Sequence, residues 1–166
     1  MMTCADSCCL INLMNGDVLK VISAASHQRI CFQGLVEDEI ISRAAELVQL
    51  VQEKHVDIVS GEDLLASEIA AIVTQYNIGL GEAECILIGK KKQWRVASDD
   101  RKARLAATAE VGANQVTGSL GLLREVVGLG AISRSDAFDA YRQMRKLGGF
   151  LPAVEPTFFE APAPNL

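Results

Sequence analysis

Trp94-Arg95-Val96-Ala97-Ser98-Asp99-Asp100-Arg101 is an apolar run that ends in two carboxylates and passes at once into Arg101–Val111, a stretch of helical spacing. A strand that ends on an acid aims that acid out of the sheet's carboxyl edge, where open α/β sheets build their sites. The chain opens in the same way. Thr3 to Ala5 reads as the end of a short strand, Asp6 follows it, and Ser7 can cap the helix beyond. Two more acidic points lie at helix starts: Glu39 in Val36-Glu37-Asp38-Glu39-Ile40, and Glu82 with Glu84 in Gly81-Glu82-Ala83-Glu84-Cys85-Ile86. Carboxylates collected on one edge repel one another unless a hard cation neutralises them, and an oxygen-only set suits Mg²⁺ or Mn²⁺. Each acid also has a purely local reading. Asp6, Asp99 and Asp100 are natural N-caps. Glu39, Glu82 and Glu84 sit in first turns that the helix dipole favours. Taken singly, ligand and cap stay open for each.

The segments between these points alternate in period. Helical spacing is expected from Ser7, over Val18 to Ala25, and over Val36 to His55 through Ile40, Ile41, Ala44, Leu47, Val48 and Val51. It is expected again over Asp63 to Tyr76 and Glu82 to Lys91, and in two last helices, Leu120 to Leu129 and Asp136 to Leu147. Strands are expected at Arg29 to Phe32, Trp94 to Ser98 and Asn114 to Thr117, and Ile58-Val59 is either a brief strand or a turn. Strands alternating with helices imply a mostly parallel sheet. The expected domain is residues 1–151. Residues 152–166 form a tail, and the stretch from Leu151 holds all 4 prolines, which suits an arm or a frayed end.

The 166 residues suffice for one domain with a real core, and 49% hydrophobic content argues against disorder. Apolar runs are short and broken by charge, so no membrane span is expected. Met1 to Leu13 lacks a basic start and carries Asp6, so no signal peptide is expected and the default location is the cytoplasm. The 5 cysteines make no CxxC pair and lie near neither His27 nor His55 in a zinc pattern, so they read as small buried hydrophobes in a reducing compartment. No glycine-rich nucleotide loop and no GxSxG elbow occurs. The net charge of −5 excludes a general nucleic-acid coat. Yet Lys90, Lys91, Lys92, Arg95, Arg101, Lys102 and Arg104 place seven of the 16 basic residues in fifteen positions, opposed there only by Asp99 and Asp100. A basic rim beside an acidic point suits an enzyme acting on a polyanion. A solvated helix face plus a charged turn would look the same.

In order and spacing these segments resemble the PIN-domain family, the fold of many metal-dependent ribonucleases and of VapC-type toxins. Asp6-Ser7-Cys8-Cys9-Leu10-Ile11 resembles its opening D-[TS]-x-x-L-I, Val36-Glu37-Asp38-Glu39 its V-x-x-E, and Val96-Ala97-Ser98-Asp99-Asp100 its v-x-[TS]-[ND]-D. Gly81 to Ile86 resembles the G-E-A-E-A-I of one branch, and Gly112 to Leu123 the branch's G-x-x-V-T-G-T-L-G-L-L run. Gly130-Ala131-Ile132 and Leu147-Gly148-Gly149-Phe150 fit as well, so the likeness spans about residues 3–151. It implies a three-layer α/β/α sandwich around the parallel sheet and metal-dependent hydrolysis of RNA. The implied metal-site acids are Asp6, Glu39, Glu82 and Asp100, with Asp99 able to join them and Glu84 as the alternative to Glu82. Ser7 and Ser98 match hydroxyl positions beside the site. Lys90, Lys91, Lys92, Arg101 and Arg104 would hold the substrate backbone. RNA, an antitoxin protein and a second copy of the chain are the implied partners. A catalytically weak module that binds nucleic acid or protein through the same fold is the rival reading. Two departures stand out: Glu82 is one methylene longer than the common Asp, and the stretch from Glu39 to Glu82 is longer than in compact toxins.

Overall fold

The structure, a computed structural model, describes residues 2–25, 29–33 and 43–160. Five strands make one sheet: β1 (Met2–Ala5), β2 (Arg29–Gln33), β3 (Val56–Val59), β4 (Arg95–Ala97) and β5 (Val116–Thr117). Their order is β3-β2-β1-β4-β5 and every pairing is parallel. The described helices are α1 (Ser7–Asn15), α2 (Leu19–Ala25), α3 (Ala44–Gln52), α4 (Ala66–Tyr76), α5 (Leu80–Lys92), α6 (Arg101–Val111), α7 (Ser119–Gly128) and α8 (Arg134–Lys146).

The inner strands β1 and β4 bury both faces, which is why they read as apolar runs rather than as alternating ones, whereas edge strand β3 leaves Ile58 half exposed. Ala5, Ile30, Phe32 and Ala97 enter one core with α1, α2, α3, α7 and α8. Cys4, Cys31 and Val96 enter the other with α4, α5 and α6. This two-residue alternation makes the α/β/α sandwich. The chain first builds outward on one side of β1, through β2 to β3, and then returns to build β4 and β5 on the other side. Crossovers between parallel strands are right-handed, so reversing direction moves the connecting helices to the opposite face. The point of reversal lies between β1 and β4.

Most expected elements are present with ends shifted by a few residues, and the first part of the helix expected over Val36 to His55 lies outside the described residues. Ile58-Val59 belongs to a strand, β3, because Cys31, Phe32 and Gln33 pair with Asp57, Ile58 and Val59. The fifth strand is shorter than expected, since Ala113–Gln115 is a 3₁₀ turn that feeds Val116–Thr117. No described helix is long and apolar enough alone to cross a membrane. The one pair that passes jointly, α1 with α2, is bent by 101° and packs in the core.

The tail departs from the arm or frayed end expected of it. As far as Glu160 it lies on the α7–α8 layer. Leu151 is buried, and Pro156–Phe159 forms a 3₁₀ turn that drives Phe159 fully into the core. The Tyr141 hydroxyl pins the strap: it donates to the Pro152 carbonyl at 3.0 Å and accepts from the Val154 amide at 3.1 Å.

Candidate active site

At the reversal point two strand ends stand side by side, with Ala5 in register with Ala97. Beyond them Asp6 extends the ladder, its amide donating to the Ala97 carbonyl at 3.0 Å. Each of these strand ends is followed within three residues by an acid that caps a helix. Asp6 has extended backbone (φ −77°, ψ 171°) and its Oδ1 accepts the Cys9 amide at 2.8 Å, so Asp6 rather than Ser7 caps α1. Ser7 is the buried first residue of that helix. Asp100 caps α6 through Oδ1 and the Ala103 amide, at 2.9 Å. Ser98 accepts the Asp100 amide on its hydroxyl at 3.2 Å, which ties the strand end to the cap. Capping engages one carboxylate oxygen and leaves a second, so cap and ligand are compatible roles.

Asp99 is held differently. Its Oδ2 accepts Asn12 Nδ2 at 2.8 Å, its Oδ1 accepts the Ser119 amide at 2.9 Å, and the Ser119 hydroxyl also bonds to Oδ2. It therefore sits at the N-terminus of α7, where the helix dipole favours a carboxylate, and links β4 to α1 and α7. Neither Asn12 nor Ser119 was expected at the site. The signal was a buried polar residue, Asn12, in the apolar face of α1, and the serine inside Thr117-Gly118-Ser119-Leu120-Gly121. Gly118 makes the docking of Asp99 possible: a Cβ there would lie 2.6 Å from Asp99 Oδ1 and 2.8 Å from the Ser98 carbonyl oxygen. Gly149 does the same for Asn12, whose Oδ1 would meet a Cβ at 2.4 Å. Gly118→Ala should cost about 1–3 kcal/mol, because a backbone carbonyl cannot step aside as a side chain can. Thermal denaturation should show this as a drop of several degrees, and an unchanged midpoint would contradict the packing.

Glu82 is in the first turn of α5, where its Oε2 accepts the Gly79 amide at 2.7 Å. Its charge reaches the strand ends. Burial pushes the Asp6 carboxyl up to about 7, Asp99 and Glu82 add to the rise, and the Ser98 hydroxyl and Cys9 amide oppose it. Loss of solvent around its charged form pushes the Cys8 thiol up to about 12, and Asp6, Glu82, Asp99 and Asp100 add to the rise in turn. Four carboxylates from three segments thus share one neighbourhood. Glu84 is buried in α5, and Glu82 rather than Glu84 is among the charges that raise Asp6 and Cys8. Glu39 lies outside the described residues.

The basic residues divide. Lys90, Lys91 and Lys92 end α5, a helix that starts at the acidic edge, so they stand roughly 12–15 Å of helix from Glu82. Lys90 pairs with Glu110 at 2.7 Å, Lys91 with Glu68 at 2.6 Å and Lys92 with Asp63 at 3.5 Å. Arg95 is buried and grips Glu125 with two nitrogens at 2.5 and 3.0 Å. The structure does not bring these four to the acids. Arg101, at the start of α6, stands beside two of them, Asp99 and Asp100. It lines a cleft of about 490 Å³ with Cys8, Asn12, Asp99, Asp100 and Phe150. Lys102 and Arg104 are exposed on the same helix.

Among the described residues no three His, Cys, Asp or Glu side chains are set to hold a metal ion. The chemistry of the edge still suits a hard cation. Asp6 Oδ2 is buried with no hydrogen-bond partner, which is costly for a carboxylate oxygen. Its neighbours Asp99 and Glu82 are of like charge. A cation there would satisfy the oxygen and screen the repulsion. Compared with known proteins, the chain matches a family model described as a PIN domain over residues 2–154. No curated protein and no solved structure matches it.

Proposed function

Since this chain belongs to the PIN-domain family, a nuclease-like fold, we propose that it is a ribonuclease that hydrolyses RNA phosphodiester bonds with Mg²⁺ or Mn²⁺. One observation carries the reading. The unpartnered oxygen of buried Asp6 lies at the sheet's reversal point, amid the charges of Glu82, Asp99 and Asp100. Asp6, Glu82 and Asp100 would hold the ion, with Glu39 as a fourth acid. A bound cation would supply Lewis acidity and an activated water. Asp99 keeps α1 and α7 in place around that edge, and Ser98 holds the Asp100 turn. Arg101 meets the substrate phosphates, and Arg104, one helical turn on, extends the contact along α6.

Cleavage of single-stranded and structured RNA in Mn²⁺ tests this. Asp6→Asn and Asp100→Asn should each lose on the order of a hundredfold in rate or more, since even outer partners of a metal site are worth 10–100-fold. Wild type and both variants equally inactive would sink the nuclease reading. Arg101→Ala should weaken RNA binding and lower the salt slope by about one, as loss of a single phosphate contact does. A slope equal to wild type would remove Arg101 from the interface.

The absence of a three-ligand group among the described residues favours a second reading, a binding module that keeps the fold without strong catalysis. RNA binding with no cleavage in either Mg²⁺ or Mn²⁺ would select it. A toxin role in the cytoplasm, with an antitoxin partner and a homodimer, extends the first reading. Co-expression with the product of the adjacent gene and sedimentation of the pure chain test those two associations.

A further inference from the structure

Phe150 is 99% exposed, the most exposed of the large apolar side chains in the described residues. Local geometry imposes this. Gly148 has φ +98°, Gly149 is wedged against Asn12 and the Met144 carbonyl, and its amide bonds to that carbonyl at 2.9 Å. Leu151, the next residue, is buried. Phe150 is therefore held outward between two anchored neighbours, at the lip of the cleft that contains Asp99, Asp100 and Arg101. The cleft has an acidic wall and an apolar wall, the latter extended by Ile11 and half-exposed Leu147. A flat, uncharged ring attached to a phosphate suits the combination of bare aromatic face and arginine.

We propose that Phe150 is the stacking platform for one unpaired nucleobase of the substrate, with an adjoining phosphate at Arg101. The inference rests on the ribonuclease reading for the identity of the polymer. A paired base has both faces covered by its neighbours, so a duplex cannot offer the contact. Stacking tolerates any base, because every base has a π-face.

Fluorescence anisotropy of a labelled, mixed-sequence single-stranded oligoribonucleotide tests the proposal in Mg²⁺, with cleavage followed on the same samples by gel. Phe150→Ala should bind roughly tenfold more weakly, the loss expected for one stacked base. Phe150→Trp should bind at least as tightly as wild type. Among oligonucleotides carrying one abasic residue, at least one should weaken wild type and leave Phe150→Ala unchanged. In cleavage the alanine variant should raise KM and spare kcat. Equal binding by wild type and Phe150→Ala, or tighter binding of a duplex than of the single strand, would overturn the proposal. So would a change confined to sedimentation, which would make the face a contact between copies. Wild type that binds as expected but never cleaves would refute the ribonuclease reading and leave the stacking site standing.

Discussion

Asp6→Asn is expected to cut the proposed RNA hydrolysis on the order of a hundredfold or more and, without divalent cations, to raise the melting temperature above pH 7. Asparagine keeps the side-chain oxygen that caps α1 at the Cys9 amide, so the helix start survives. What it removes is a buried charge beside Asp99 and Glu82. The Asp6 carboxyl titrates near 3.8 unfolded and at about 7 folded. Below about pH 4 both states are protonated and the substitution changes little. Between these values the folded protein holds a proton that the unfolded chain has lost, so wild-type stability falls as pH rises. Above about 7 the penalty is complete, up to about 4 kcal/mol at roughly 1.4 kcal/mol per pK unit. At about 2–4 °C per kcal/mol for a chain of this size, the gap approaches ten degrees. Mg²⁺ should close it by stabilising wild type, since a ligand that binds only the native state raises its stability. Melting curves from pH 4 to 8, with EDTA and with Mg²⁺, decide the matter. An asparagine variant destabilised equally at every pH would show that Asp6 serves packing alone.

Phe159→Ala is expected to be the most destabilising truncation of the C-terminal strap, at about 3–5 kcal/mol. The ring is wholly buried, lies edge-on to Phe158 at 5.2 Å between centroids and faces Tyr141 at 6.3 Å. Tyr141 holds the strap on both sides of Ala153, which limits how far the strap can close over the vacated space. A fall in melting temperature of roughly ten degrees follows. Phe150→Ala, nine residues earlier, should leave the midpoint almost unmoved, since Phe150 is 99% exposed. Similar midpoints for the two variants would mean that the strap does not carry core weight.

This contrast marks how far the sequence is legible. Phe150 and Phe159 lie in the same glycine- and proline-rich context, where no periodicity separates a buried ring from an exposed one. Period and caps are local, and they were readable: the strand-acid-helix junctions at Asp6 and Asp99-Asp100 appear where their residue types predict, and the parallel sheet follows from their alternation. The cap at α1 stays open between Asp6 and Ser7 in the sequence, because Asp and Ser are near-equal caps. Only the extended Asp6 backbone and the Cys9 bond separate them. The basic cluster misled for a topological reason. Lys90 and Arg101 are close in the chain, but α5 ends at one edge of the sheet and β4 carries the chain back to the other.

The chain's own pattern therefore determined the layers, the strand-to-helix junctions and which residue types crown the sheet, since backbone propensity, capping and hydrophobic period act over a few residues. Tertiary structure alone decided which acids meet. Asp6 and Asp99 share one edge because β1 pairs with β4 across more than ninety intervening residues, and Gly118 lets α7 close on Asp99. Burial and like charge then raise Asp6, a property of the assembled edge that no single segment carries. It also decided that three lysines face away while Arg101 stays, and that one phenylalanine fills the core while another stands at the cleft. Distance through space sets those outcomes, and chain separation does not encode it.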